Sequence, residues 1–193
     1  MVTAPTSLSF PTKVRLSFSP RSVLPKTNEL WAIQAGFVRV LTRPEEGSNL
    51  TLGIWGTGDV VGRALSIAHP YHIECLTSVQ VVAISLNDLT NPTEVLLKHL
   101  HQAEELMLIR SYKRIDTMLL KLLSWLANRF GQDANQGRLI DLRLTHQDLS
   151  ELLDTTRVTV TRALIQLEQQ GFIQRLSLQR IVLQQAEYWH YEI

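Results

Sequence analysis

The chain has 193 residues, 45% of them hydrophobic and 19% charged, with 19 Lys and Arg against 18 Asp and Glu for a formal charge of +1. That length holds two small domains with modest cores, and the composition is neither that of a disordered chain nor that of a strongly basic one. No apolar run approaches the roughly 20 residues of a membrane span, no secretory signal opens the chain, and the single Cys75 excludes an internal disulfide or a four-thiolate iron–sulfur cluster, so a cytoplasmic location is expected.

Residues 1–9 are rich in Thr, Ser and Pro. Strand signals fill the stretch from about residue 18 to residue 86. Leu30, Trp31, Ala32 and Ile33 lead to Gly36, and residues 37–41 alternate apolar and polar side chains. Residues 50–55 and 80–85 are further strand candidates, separated by Gly, Pro, Asn and Asp. Short strands at close spacing predict a small β-roll or barrel. The glycines of residues 56–62, GTGDVVG, serve either turns or a bound phosphate. His69, His72 and Cys75 have no zinc-ligand spacing and read as a turn followed by a half-buried strand through Ile73 and Leu76. No nucleophile–base pattern, HExxH or P-loop occurs, so no enzyme, metal or cofactor is expected.

Asn91 and Pro92 open a helix, proline being tolerated in its first turn. Along it Leu96, Leu100, Ala103 and Met107 recur at intervals of four and three, the spacing either of a coiled-coil seam or of a face packed on the β-roll. Residues 115–130 form a second, more apolar helix. Residues 131–137, GQDANQG, read as a flexible linker or loop.

Residues 144–173 carry the most information. Thr145 precedes Asp148 by three positions, the spacing of a capping box, and Leu149, Leu152 and Leu153 give the next two turns an apolar stripe. Asp154 and Thr155 break that stripe, after which Thr155 or Thr156 can cap a second helix. There Val160, Leu164 and Leu167 face inward, while Arg157, Val158, Thr161 and Arg162 fall mostly on the other side. Gly171 suits the left-handed residue that ends a helix. Phe172-Ile173 and residues 180–183 are strand-prone, as in the wing of a winged helix. The pattern is that of a helix-turn-helix sized for a DNA major groove, or else of an amphipathic helix pair with solvated arginines. With so little net charge, the footprint for a duplex must come from the placement of Arg157, Arg162, Arg175 and Arg180, helped by helix N-termini.

Residues 154–173, DTTRVTVTRALIQLEQQGFI, resemble the recognition helix of the CRP/FNR family of bacterial transcription regulators, and RVTVTR is similar to that of the cyanobacterial nitrogen-control members. Residues 30–41 and 56–62 resemble the family's cyclic-nucleotide-binding-like domain. The resemblance implies an α+β chain. A β-roll over residues 1–90, shortened at its start, precedes a dimerisation helix over 91–112 and a winged helix-turn-helix over 113–193. It implies a homodimer paired through Leu96, Leu100, Ala103 and Met107, bound to double-stranded DNA, with RNA polymerase as a further partner. Thr145, His146, Gln147, Thr156 and Thr159 are then expected at phosphates, and Arg157, Val158 and Arg162 at bases. Val158 stands where cAMP-receptor-type members carry Glu, which points to a GTA-like half-site over the TGTGA type.

The effector region departs from the family. Val61, Gly62, Arg63 and Ala64 occupy the ligand turn, but Arg63 stands near the position of the ribose-holding Glu. His69 and Pro70 stand where the phosphate-clamping Arg-Ser or Arg-Thr pair belongs. These residues argue against cAMP in the usual mode. Arg63 suits a dicarboxylate such as 2-oxoglutarate, which the nitrogen regulators bind near this turn, with Arg110, Lys113 and Arg114 as nearby basic candidates. An effector-independent regulator fits equally well. The alternative class is a small-molecule, haem or redox sensor whose winged domain binds a protein partner.

Overall fold

A computed structural model describes residues 14–45, 47–135 and 137–184. They form two compact units that divide between residues 103 and 104.

The first unit is a β-roll of two antiparallel sheets. Strands β1 (Arg15–Phe18), β2 (Leu30–Ala35), β5 (Val60–Val61) and β7 (Val79–Ile84) pair in the order β1-β7-β2-β5. Strands β3 (Val38–Thr42), β4 (Leu50–Trp55) and β6 (His72–Cys75) pair in the order β4-β3-β6. Period-two alternation buries Trp31, Ile33, Val38, Val40, Ile73, Cys75, Val79 and Val81 between them. The half-buried strand expected at Ile73 is β6, whose second buried residue is Cys75, with Leu76 buried just beyond it. Gly36 lies between β2 and β3 at φ 85°, where a Cβ would fall 2.1 Å from Ser78 O. Only glycine fits that approach.

Helix α1 (Pro92–Arg110) enters from this unit. His99 stacks on Trp55 at 4.9 Å between ring centroids, and its Nε2 lies 2.9 Å from Val60 O. Gln102 is fully buried, its Oε1 accepting the Ile54 N–H at 2.6 Å through the space left by Gly53. The β-roll therefore takes the His99 and Gln102 side of the helix. Leu96, Leu100 and Ala103 are exposed in this unit, as is Met107 in the second.

The second unit contains α2 (Ile115–Phe130), β8 (Gln132–Ala134), β9 (Gly137–Ile140), α3 (His146–Leu153), α4 (Arg157–Gln169), β10 (Ile173–Leu176) and β11 (Arg180–Gln184). Helices α2 and α3 pack on α4 over a core of Leu119, Leu122, Leu126, Leu149, Leu152, Val160, Leu164 and Leu167. Burying each such side chain contributes about 1.5–3 kcal/mol. The sheet order is β10-β11-β9-β8. Residues 132–134 and 137–140 thus correct the expected flexible linker, because they form a hairpin in the wing sheet. Ile140 pairs with Ile181, and this long-range register fixes a segment whose composition reads as loop. Among the described residues no helix is long and apolar enough to cross a membrane.

Candidate nucleic-acid interface

The two helices of the C-terminal unit are fixed by their caps. Thr145 Oγ1 accepts the Asp148 N–H at 3.1 Å while the Asp148 carboxylate accepts the Thr145 N–H at 2.7 Å, completing the capping box. Asp154 ends α3 in the left-handed conformation, φ 51°. Of the two possible caps for α4 the structure uses Thr156, whose Oγ1 accepts the Thr159 N–H at 3.1 Å. Gly171, φ 77°, closes α4 in a Schellman motif, with Gly171 N–H donating to Glu168 O and Phe172 N–H to Leu167 O, both at 3.0 Å.

The apolar spacing along α4 fixes which face looks outward. Val160, Ala163, Leu164 and Leu167 are buried, while Arg157, Val158, Arg162 and Ile165 are exposed, Val158 to 59%. Among the described residues neither the Arg157 nor the Arg162 guanidinium is held in an ion pair, so both charges are available to a ligand. The outward face of α4 thus presents an exposed valine beside two arginines over a seated inner face.

His146, at the start of α3, is tied to that surface. Thr161 Oγ1 donates to Arg157 O at 2.9 Å and lies 2.8 Å from His146 Nδ1. The single hydroxyl proton is committed to the carbonyl, so the proton of the second contact belongs to Nδ1, and Nε2 of the neutral ring carries the lone pair. Burial, then the charges of Arg175 and Arg157, hold the His146 pKa below its ordinary value. The other expected phosphate residues also have local partners. Gln147 Nε2 donates to Glu151 Oε1 at 3.0 Å, and the hydroxyls of Thr156 and Thr159 bond each other at 2.8 Å.

The wing contributes less charge than its composition implies. Arg175 is clamped by Glu168: its backbone N–H donates to Oε1 at 2.9 Å, and Nε and Nη2 reach Oε2 at 2.7 and 2.6 Å. The pair fastens β10 to α4 and ties up the Arg175 charge, while Arg180 makes no ion pair among the described residues. A groove of about 310 Å³ between the helices and the wing is lined by His146, Glu168, Arg175, Gln179 and Arg180. The His146–Thr161 and Glu168–Arg175 contacts join residues fifteen and seven apart across turns, beyond any local spacing rule.

Of the four effector-turn residues, Gly62 and Arg63 border a cavity beside the turn. Val61 is core, and a Cβ on Gly62 would meet Leu30 Cδ2 at 2.7 Å. Arg63 turns back on its own loop, Nη1 donating to Ser66 O at 3.0 Å and to Ala68 O. The Ala64 side chain, next along the turn, is exposed. Beside this turn a cavity of about 340 Å³ is lined by Leu24, Lys26, Trp31, Arg63, His69 and Tyr71, among others. Burial pushes the Tyr71 phenol up to about 12, so it stays protonated there. Cys75 is fully buried and its thiol is pushed up, first by burial, which leaves it a poor nucleophile.

The Crp-like helix-turn-helix domain model matches residues 113–188. The chain is 44% identical over 175 residues to the regulatory protein CysR of Synechococcus elongatus, covering 89% of this chain and 84% of that one. It is 26% identical over 161 residues to the global nitrogen regulator of the same organism, covering 75% and 72%. The crystal structure of a transcriptional regulator of the CRP/FNR family from Thermus thermophilus has the same fold, with a TM-score of 0.72 at 21% identity over 88% of this chain and 93% of that one. These relatives are regulators rather than enzymes.

Proposed function

The chain belongs to the CRP/FNR family of transcription regulators, and from that premise we propose that it works as a homodimer reading a palindromic duplex with GTA-like half-sites. The outward face of α4 carries this reading, with Arg157, Val158 and Arg162 exposed over a buried inner face. Arginine is suited to guanine O6 and N7, whereas valine accepts no hydrogen bond and offers methyls to a thymine. Thr145, His146, Gln147, Thr156 and Thr159 flank this face at the helix starts, where backbone N–H groups and side chains meet phosphates and set the register. Pairing through Leu96, Leu100, Ala103 and Met107 would present two such helices to successive major grooves, about 34 Å apart. RNA polymerase is the further partner of the bound dimer.

Selection from random duplexes tests this directly. GTA-containing palindromes are expected, with an affinity that falls steeply as salt is added. Half-sites requiring G·C at the position over Val158, or an affinity indifferent to salt, would overturn the reading.

His146 makes the binding pH-dependent. With Nδ1–H committed to Thr161, a phosphate can be met only by a protonated Nε2, so the contact takes up a proton. The free-protein pKa is depressed by burial, Arg175 and Arg157, with the Arg175 charge partly offset by Glu168 and with Arg180 lining the same groove. A phosphate raises it in the complex. Affinity is therefore constant below the depressed value, falls as pH rises from there to the raised value, and levels off above both. Titrating affinity over about pH 5.5–8 should show this fall, by at most tenfold per pH unit, and His146→Gln should flatten it. A slope unchanged in that variant would assign the proton elsewhere.

Gating by a small anion is a second reading, favoured by the cavity that Lys26, Arg63 and His69 border. Gel shifts with and without 2-oxoglutarate and cAMP decide it; no change with either supports an effector-independent regulator.

A further inference from the structure

The turn of the wing breaks two local rules at one residue. Leu178 lies between β10 and β11 and is 63% exposed, although it is a large apolar side chain. Its backbone is left-handed, φ 59° and ψ 33°, and Gln179 follows at φ 59°. Asn and Gly adopt that conformation at least cost, and leucine is among the residues that resist it. A strained backbone that holds an apolar side chain out in water is a feature to explain by function.

Its surroundings indicate what it meets. Arg180 lies two positions on, with Nε on Ser177 O at 3.3 Å, and makes no ion pair among the described residues. Gln179 and Arg180 line the same groove as His146, which is bonded to Thr161 on α4. The Glu168–Arg175 clamp fixes the wing to that helix. The wing turn is thus continuous with the DNA-reading surface and carries positive charge beside its leucine. A duplex that lays a major groove over α4 and a phosphate at His146 offers the wing the flanking minor groove.

We propose that Leu178 is a minor-groove contact that makes the protein prefer A·T pairs just outside each half-site. The minor-groove floor of an A·T pair carries only the adenine N3 and thymine O2 acceptors. A G·C pair adds the guanine 2-amino donor, which a leucine side chain would bury without a partner. Arg180 adds to the preference, because narrow A·T minor grooves draw arginine. The inference rests on the DNA reading above and specifies a contact that reading leaves open.

The test uses the full chain on a GTA palindrome with flanks of A·T, G·C or inosine·cytosine pairs. Inosine·cytosine keeps the major-groove pattern of G·C but lacks the 2-amino group. The wild type should bind A·T and inosine·cytosine flanks alike and G·C flanks about tenfold more weakly. Leu178→Asn suits the left-handed backbone, so its melting temperature should hold or rise, while its affinity for A·T flanks falls about five- to tenfold and flank preference disappears. A Leu178→Asn protein with wild-type affinity and wild-type flank preference overturns the contact while the DNA reading stands. Failure of the wild type to bind any duplex overturns both. Equal wild-type binding to G·C and inosine·cytosine flanks overturns the minor-groove assignment.

Discussion

Replacing Leu100 and Met107 together with glutamate is expected to split the proposed homodimer into folded monomers that have lost about two to four orders of magnitude in affinity for the proposed palindromic duplex. Both side chains are exposed, to 53% and 71%, and line up along α1 with Leu96 at 56% and the exposed Ala103. Removing them disturbs no buried packing, since the roll is held by His99 and Gln102 and the second unit buries Leu106 and Ile109 instead. Two carboxylates at the seam of a symmetric pair would each face a like charge and forfeit the apolar contact. A dimer engages its second half-site intramolecularly, and the monomer loses that advantage while keeping its contacts to a single half-site. Sedimentation equilibrium reads the mass and a gel shift on full and half palindromes reads the affinities. A variant that remains dimeric would place the seam elsewhere.

The second large effect concerns specificity. Arg157→Ala should cost about 1–3 kcal/mol at one base pair of each half-site and relax discrimination there. The substitution leaves the α4 cap intact, because that cap is the Thr156 side chain. Val158→Glu should shift the adjacent preference toward a cytosine, whose N4 amine donates to the carboxylate. Selection with each variant, compared position by position with wild type, reads both changes. An unchanged consensus after Arg157→Ala would mean that α4 is not the reading helix. Arg157 also helps hold the His146 pKa down, so its removal should move the pH profile of binding upward as well, linking two residues that lie on different helices.

The helix pair is legible in the sequence because its determinants are local. The Thr145–Asp148 box, the Gly171 terminus and the spacing of Val160, Leu164 and Leu167 each need only a few residues of context. The β-roll strands are legible for the same reason, their alternation being visible in Trp31 and Ile33 or Val38 and Val40. The 132–140 hairpin is not, because its register is set by β11, about forty residues downstream. Arg175 reads as a free charge in sequence because its partner, Glu168, lies across the end of a helix. The bonds from Arg63 to Ser66 O and Ala68 O are not legible either, because carbonyl acceptors carry no signature in sequence. Arrangement, more than residue type, decides each of these cases.

Arg110 is the last residue of α1, and its Nε donates to Leu152 O at 2.8 Å, at the C-terminal end of α3. Asp154, in the turn that follows, adds a favourable charge beside that half-buried guanidinium. The end of α1 is thereby fastened to the corner of the helix-turn-helix. In the homodimer proposed above, this joint would let α1 set the gap between the two recognition helices. The spacer length of the proposed operator would then be a property of the protein's own skeleton.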